Sequence, residues 1–446
     1  MRPGQGETVR EPARDVPVYG SCDVLVVGGG PAGFAAAVAA ARAGADTVLV
    51  ERYGHLGGLA TGGLVYWIDR MTDWRGNPVV GGIGQELIDR CGRDAVLGPE
   101  PALWGSRDKE AVAYWGIRAS AHRGVVTWAP TVDPELMKCV SNDMVRDAGV
   151  TTLFHAWAVA ALHQDGRVQG AIFESKEGRF ALRARGTVDC TGDGDVFASA
   201  GAAFEGDMDS TSIHARVNTS FRFGNVDMVR YMDFKLNDAQ AHNDLLRRAT
   251  AEGIDLRCHE TAREGVALFM TPKFTGYSAL KVADLTEVEF RSRDVMRAGL
   301  VWWRAHVPGF ERAWIYDTAS QIGVRHSRRL LGVERVTLDH WKASGRYDDS
   351  IGLCPGLTPE FPTLEIPYRC LVPRTVDGVL AAGRNLSCDP QSHNPLREVP
   401  ECWVLGQGAG AAAALAVKGD VALRDVPVGA LKETLRSQGA LVDVPA

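Results

Sequence analysis

The sequence has no Cys-x-x-Cys pair, no His-Glu-x-x-His and no paired Cys/His spacing that would build a zinc site, although it contains nine cysteines. His55, His122, His155 and His214 stand apart from one another, so no metal is expected. The missing redox pair also argues against a disulfide reductase, and scattered cysteines suit a reducing cytoplasm. No run approaches the roughly 20 apolar residues that cross a bilayer. The Ala-rich stretch from Ala409 to Val417 is too short. Positive charge is not in excess: 49 basic against 55 acidic residues give a net charge of -6, which offers no case for nucleic acid or an anionic membrane. Met1 to Tyr19 is polar, carries Pro3, Pro12 and Pro17 and lacks an apolar centre, so it reads as a loosely ordered arm rather than a signal peptide. Internal repeats and low-complexity tracts are also missing. With 446 residues, 45% of them hydrophobic and 23% charged, the chain has the composition of a soluble globular protein of two or three lobes.

What is present is concentrated near the start. Asp23-Val-Leu-Val-Val-Gly28-Gly-Gly30-Pro31-Ala32-Gly33 leads into Ala-rich sequence and then Val48-Leu-Val-Glu51. This order predicts strand, glycine turn, helix, strand and terminal acid, the unit that holds the adenosine half of a dinucleotide. Gly28 allows the turn, Gly30 lets the backbone approach a pyrophosphate, and Gly33 lets the helix pack closely. The helix N-terminus faces the phosphates with unpaired N–H groups. Glu51, with Arg52 after it, ends the second strand roughly 20 residues on, where an acid accepts hydrogen bonds from a ribose.

Pro31 to Gly44 places Ala36, Ala37, Ala40 and Ala41 at helical spacing, and Gly44 stops the helix. The glycine-rich segment from Tyr53 to Gly63, holding Gly57, Gly58 and Thr61, reads as loop. Pro134 to Ala148 predicts a helix capped by Asp133, and strand-like pieces follow over 151–154, 156–163 and 168–175 with a turn at Asp165-Gly166. A further strand ends at Asp189-Cys-Thr191-Gly192-Asp193-Gly194-Asp195. From about Asp207 to Pro362 aromatic and Arg-rich segments replace the Ala/Gly texture, which returns after Leu364 with a short strand at Val379 and a helix from about Pro400.

Four separated blocks together resemble the FAD-dependent oxidoreductases of the glutathione-reductase-like fold, in the branch related to fumarate reductase and succinate dehydrogenase flavoproteins. They are Gly28-x-Gly30-x-x-Gly33 with Glu51, Leu56-Gly57-Gly58-Leu-Ala-Thr61, Asp189 to Asp195, and Val379 to Arg384 with Arg397 to Gly410. Gly323-Val-Arg325-His326-Ser-Arg328-Arg329 resembles a further block, with His326 where the group more often has an acid. The resemblance implies an α/β fold: a discontinuous, three-layer Rossmann-like FAD-binding domain over 20–75, 130–206 and 364–446, and an inserted α+β substrate or cap domain over 76–129 and 207–363. Residues 1–19 form the arm.

By the same resemblance Glu51 holds the ribose, Gly57-Gly58 passes along the pyrophosphate and flavin, and Thr191-Gly192 lies near the adenine end. The loop from Gly383 to Pro400 lines the isoalloxazine, where Arg384 and Arg397 neutralise anionic flavin or phosphate, or else form ion pairs. The following helix N-terminus suits the negative charge of reduced flavin near N1. Gly81-Gly82-Ile83-Gly84 follows Pro78 at the wrong spacing for a second fingerprint, so no NADPH domain is expected. His55 stands too close to the Gly-Gly pair to match relatives with a covalent flavin link, and noncovalent FAD is preferred.

The flavin performs the redox step, leaving the protein to orient substrate and move a proton. His393, in Asp389-Pro-Gln-Ser-His393-Asn394, is one candidate acid–base group; the alternative is a histidine that bonds the loop backbone. His326 among Arg325, Arg328 and Arg329 is the other: a cationic pocket for an anionic substrate, or arginines that stitch the lobes together through carboxylates. Trp302, Trp303, Trp314, Phe274 and Tyr277 form a substrate wall or, more in keeping with their spacing, core. The expectation is an enzyme moving a hydride between a small organic substrate and flavin N5, a dehydrogenase or oxidase reoxidised by O2 or an external acceptor. The alternatives are a reductase fed by a separate donor, an electron-relay subunit, or a flavoprotein whose FAD is structural or supports an isomerisation. Homo-oligomerisation is left open.

Overall fold

Val24, Leu25, Val26 and Val27 are all apolar and all buried, as a strand covered on both faces requires. In the computed structural model, which describes residues 8–206, 216–343 and 345–444, they end β1 (Val18–Val27). His214 and the first seven residues of the expected arm lie outside the described residues. α1 (Pro31–Arg42) begins with proline in its first turn, where a missing N–H breaks no helical bond, and β2 (Thr47–Val50) returns parallel to β1. Next come α2 (Gly82–Cys91) and α3 (Pro134–Asp147). Asp133 caps α3 by accepting the N–H groups of Glu135 and Leu136 at 2.9 and 3.0 Å. β3 (Thr151–Leu153) lies beside β2, and β4 (Trp157–Gln164), β5 (Arg167–Ser175) and β6 (Gly178–Asp189) form an antiparallel meander.

The inserted lobe is a small antiparallel sheet of β7 (Phe221–Gly224), β8 (Cys258–Glu260), β9 (Ala267–Phe269) and β10 (Trp314–Thr318), crossed by the long helix α4 (Val282–His306). Its own core packs Phe221, Phe223, Phe269 and Phe310 around Trp303. Trp302 and Trp303 are therefore core, whereas Trp314 is 53% exposed. The chain then returns to the first lobe with β11 (Val379–Ala381) and α5 (Val399–Gly419).

The large sheet has the order β3-β2-β1-β6-β5-β4. β6 serves two layers: residues 178–183 pair antiparallel with β5, and Thr187 to Asp189 run parallel to both β1 and β11. α1 and α5 pack together on one face through small residues. A Cβ added at Gly406 or Gly410 would stand 2.0 Å from the carbonyl oxygen of Ala32 or Ala36.

The lobe boundaries differ from those expected. Val80, Ile83, Leu87, Ile88 and Cys91, expected in the cap, belong to the same apolar cluster as α1 and α5. Leu330, Val336, Trp341 and Ile351 likewise join the clusters of the first lobe. Apolar spacing marks which face of a segment is buried but not which lobe buries it, and composition alone drew those lines.

Candidate functional site

β2 and β6 lie on opposite sides of β1, so the connections leaving the carboxyl ends of β1 and β6 separate and open a crevice there. The cleft there is lined by Arg52 and Trp157, by Gly28 and Gly30 to Ala32, and by Gly383, Arg397 and Cys402. Its mixed lining of glycines, apolar side chains and charged groups suits a ligand with both polar and apolar parts.

The three fingerprint glycines act differently. At Gly28, with φ +96°, a Cβ would stand 2.5 Å from the Cys190 carbonyl oxygen, so only glycine allows the two strand ends to approach. At Gly33 a Cβ would stand 1.6 Å from the Gly28 carbonyl oxygen, which explains how α1 starts hard against the turn. At Gly30, which lines the cleft, an added Cβ would meet nothing within 4 Å. The open space over Gly30 adjoins the first turn of α1, which has no side-chain cap, so its N–H groups are available to a phosphate.

Glu51 is buried and accepts the N–H groups of Gly29 at 2.5 Å and Tyr53 at 2.8 Å. Burial raises its pKa, opposed by those two donors. Arg52 lies over the rings of Trp157 and Tyr53 at 4.9 and 5.0 Å, flanking the cleft. Gly57, with φ +87°, donates its N–H to Gly29 at 2.9 Å, and a Cβ on Gly58 would stand 2.8 Å from Gly30 Cα. Thr61 is buried and donates to the Leu56 carbonyl at 2.6 Å. Of this loop Gly58 lines the cleft, while Gly57 and Thr61 hold it in shape.

The loop after β6 hangs on Asp189, a fully buried carboxylate that accepts from Thr191 Oγ1 and the N–H groups of Val196 and Phe197 at 2.7, 2.9 and 3.0 Å. Burial, only partly offset by those donors, pushes its pKa up to about 6. Thr191 and Gly192 thereby line the cleft. Arg384 lines it too, but its guanidinium donates to Asp193 at 2.9 Å and Ser327 at 2.8 Å. Burial favours the neutral acid at Asp193, yet Arg384 and Ser327 outweigh it and hold the carboxyl below its usual range. Asp193 and Asp189 were not singled out from the sequence; their place in an acid-rich loop at a strand end was the available signal.

The residue model for FAD dependent oxidoreductases matches residues 23–435. The chain belongs to the FAD-dependent oxidoreductase family. FAD is its cofactor, and the cleft of this flavoenzyme offers groups that fit such a ligand: a buried acid at the end of β2, a glycine cradle that a side chain would fill, and an uncapped helix start beside it. Dihydrolipoyl dehydrogenase of Trypanosoma brucei brucei is 51% identical over 45 residues, a match spanning 10% of this chain and 9% of that enzyme. Among solved structures, a geranylgeranyl bacteriochlorophyll reductase-like protein of Thermoplasma acidophilum is 15% identical, covering 94% of this chain and 83% of its own, with a TM-score of 0.44. The myxobacterial chondrochloren halogenase CndH is 13% identical, covering 94% and 79%, with a TM-score of 0.49. The p-nitrophenol 4-monooxygenase PnpA of Pseudomonas putida is also 13% identical, covering 94% and 84%, with a TM-score of 0.44.

Of the residues expected to perform chemistry, Arg397 lines the cleft, paired with Glu398 at 2.8 Å. His393 and His326 do not line it. Both are buried, with their rings perpendicular and 5.1 Å apart. His393 Nε2 lies 2.8 Å from the Arg384 carbonyl, an acceptor that fixes a proton on that nitrogen. Burial, reinforced by nearby arginines, pushes the His326 pKa down to about 3 and lowers that of His393 strongly, so both rings are neutral near pH 7. The arginine block divides. Arg328 pairs with Asp195 at 3.0 Å and Arg329 with Glu205, stitching loops together, while Arg325 has no such partner among the described residues. His55 stacks on Tyr53 with centroids 5.5 Å apart and does not line the cleft.

Proposed function

We propose that the chain is a dehydrogenase or oxidase that takes a hydride from a small organic substrate held between the lobes, and is reoxidised by O2 or an external acceptor. When bound, FAD supplies the two-electron acceptor. The observation carrying this reading is that Arg397 lines the cleft together with Gln321 and Val324 of the inserted segment, and that the sequence holds one complete dinucleotide fingerprint. A chain whose sequence holds a single complete fingerprint is more simply reduced by its substrate.

In this reading Arg397 is the catalytic residue, its fixed positive charge facing the part of the cleft where negative charge develops. Glu398, whose pKa burial raises, does not itself line the cleft but pairs with Arg397, which does, and in this reading takes the proton released with the hydride by way of a water. His393 and His326 are positioning residues: they brace the Arg384 loop instead of exchanging protons with substrate. Replacing His393 by Gln, which can still donate to the Arg384 carbonyl, is expected to keep the pH profile of kcat, whereas Glu398→Gln removes its acidic limb. A lost acidic limb in His393→Gln would return the proton role to the histidine.

A further inference from the structure

Val217 pairs with Val324 on one side and with Phe274 on the other, exchanging N–H to carbonyl bonds with Phe274 at 3.0 and 2.9 Å. Directly opposed strand residues point to the same face, so Val217, Val324 and Phe274 share one face, packed into a small apolar cluster with Ala279 and Val288. One residue along each strand, the chain points the other way. Arg216, Lys273 and Arg325 each stand one residue along from these three, and the three cations, from three different segments, feel one another's charge.

None of the three forms an ion pair or side-chain hydrogen bond among the described residues, and the buried Arg216 Nε has no partner there. The acid that interacts with Lys273 and Arg325 is Glu398, already tied to Arg397 at 2.8 Å. Arg397 lines the cleft, and its charge is felt by both Arg325 and Lys273. Among the described residues, four positive charges stand against one adjacent carboxylate, at partly buried positions where such an excess is costly without a counter-charge. Arg325 and Arg384 differ in this respect. The second is neutralised by Asp193; the first is not.

We infer that Arg216, Lys273 and Arg325 form the recognition site for a carboxylate on the substrate, so that the enzyme acts on an organic anion whose reacting carbon is presented towards Arg397 in the cleft. This rests on the cleft beside Arg397 being the substrate site, and it narrows that reading to one substrate class. The pyrophosphate of the cofactor does not account for these cations, because the glycine cradle at Gly30 and the start of α1 line the cleft and Arg216, Lys273 and Arg325 do not. Three donors of this kind match the two oxygens of a carboxylate with charge-assisted bonds.

The test uses the FAD-loaded protein and two matched pairs of probes, benzoate with benzamide and malonate with malonamide, followed by calorimetry and by the shift of the flavin absorption bands. At least one carboxylate is expected to bind more than about tenfold tighter than its amide. Lys273→Gln and Arg325→Gln should each lose that preference, and Lys273→Arg, which keeps the charge, should retain it. Equal affinity for acid and amide, no heat from either carboxylate at millimolar concentration, or full selectivity in both Gln variants would overturn the inference. Flavin content is recorded for every sample: carboxylate selectivity in protein that has lost its flavin upholds the anion site even where the oxidoreductase reading fails.

Discussion

At Gly30 a side chain would enter the cleft, whereas at Gly33 it would collide with the backbone of the turn. Gly30→Val is therefore expected to weaken FAD binding by about 100-fold, about 3 kcal/mol, with little change in the melting temperature of the apoprotein. Gly33→Ala is expected to destabilise the fold by about 3 kcal/mol, as overpacking does, and so to lose flavin through unfolding. Flavin retention on gel filtration together with apoprotein melting separates the two cases. Lys273 gives a pH signature. Burial first, then Arg325 and Arg216, lower its pKa to about 8, with Arg397 adding and Glu398 opposing. The unfolded chain keeps that proton to about pH 10.4, so folding gains stability as pH rises from about 8 to 10 while anion affinity falls through about 8. Benzoate titrations across that range should show the fall in the wild type and none in Lys273→Gln; a pH-independent affinity in the wild type would exclude Lys273 from the site.

Elements were legible where a single rule governed them. The Pro134 helix shows its cap and its apolar stripe, and the meander shows its strands and turn, so α3 and β4 to β6 follow from local sequence. What local sequence could not show is which surfaces meet. Gly406 and Gly410 look like helix weakeners until α1 lies across them. Gly410→Ala should push α5 off α1, destabilise the protein by about 2 kcal/mol or more in urea unfolding, and weaken FAD binding because α1 carries the phosphate site. Asp189 behaves in the same way: it reads as one acid among three in its loop, but its burial makes it the peg for the segment. Its folded pKa of about 6 stands above the unfolded value, so its contribution is full at low pH and declines as pH rises from about 4 to 6. Asp189→Asn should remove that decline, and a stability–pH curve with the same slope in both proteins would show that Asp189 is not the group responsible.

At the scale of the whole molecule the cofactor was legible and the substrate was not. The fingerprint and the later glycine blocks meet at one crevice, because a parallel sheet gathers the ends of distant strands at its carboxyl edge. The substrate side depends on register between segments far apart in sequence, which brings Arg216, Lys273 and Arg325 together through the pairs at Val217. Of these only Arg325 drew notice from sequence, in company with Arg328 and Arg329, which turned out to be paired. His326 and His393 are residue types suited to catalysis, but both are buried, burial lowers their pKa values, and neither lines the cleft. The most direct test is an anaerobic titration of the FAD-loaded protein with a panel of small organic acids, read at the visible flavin bands. The account predicts that one acid bleaches the flavin with no nicotinamide and no partner protein present. A flavin that stays oxidised through the whole panel and is bleached by NADPH or by a separate reductase alone would contradict it.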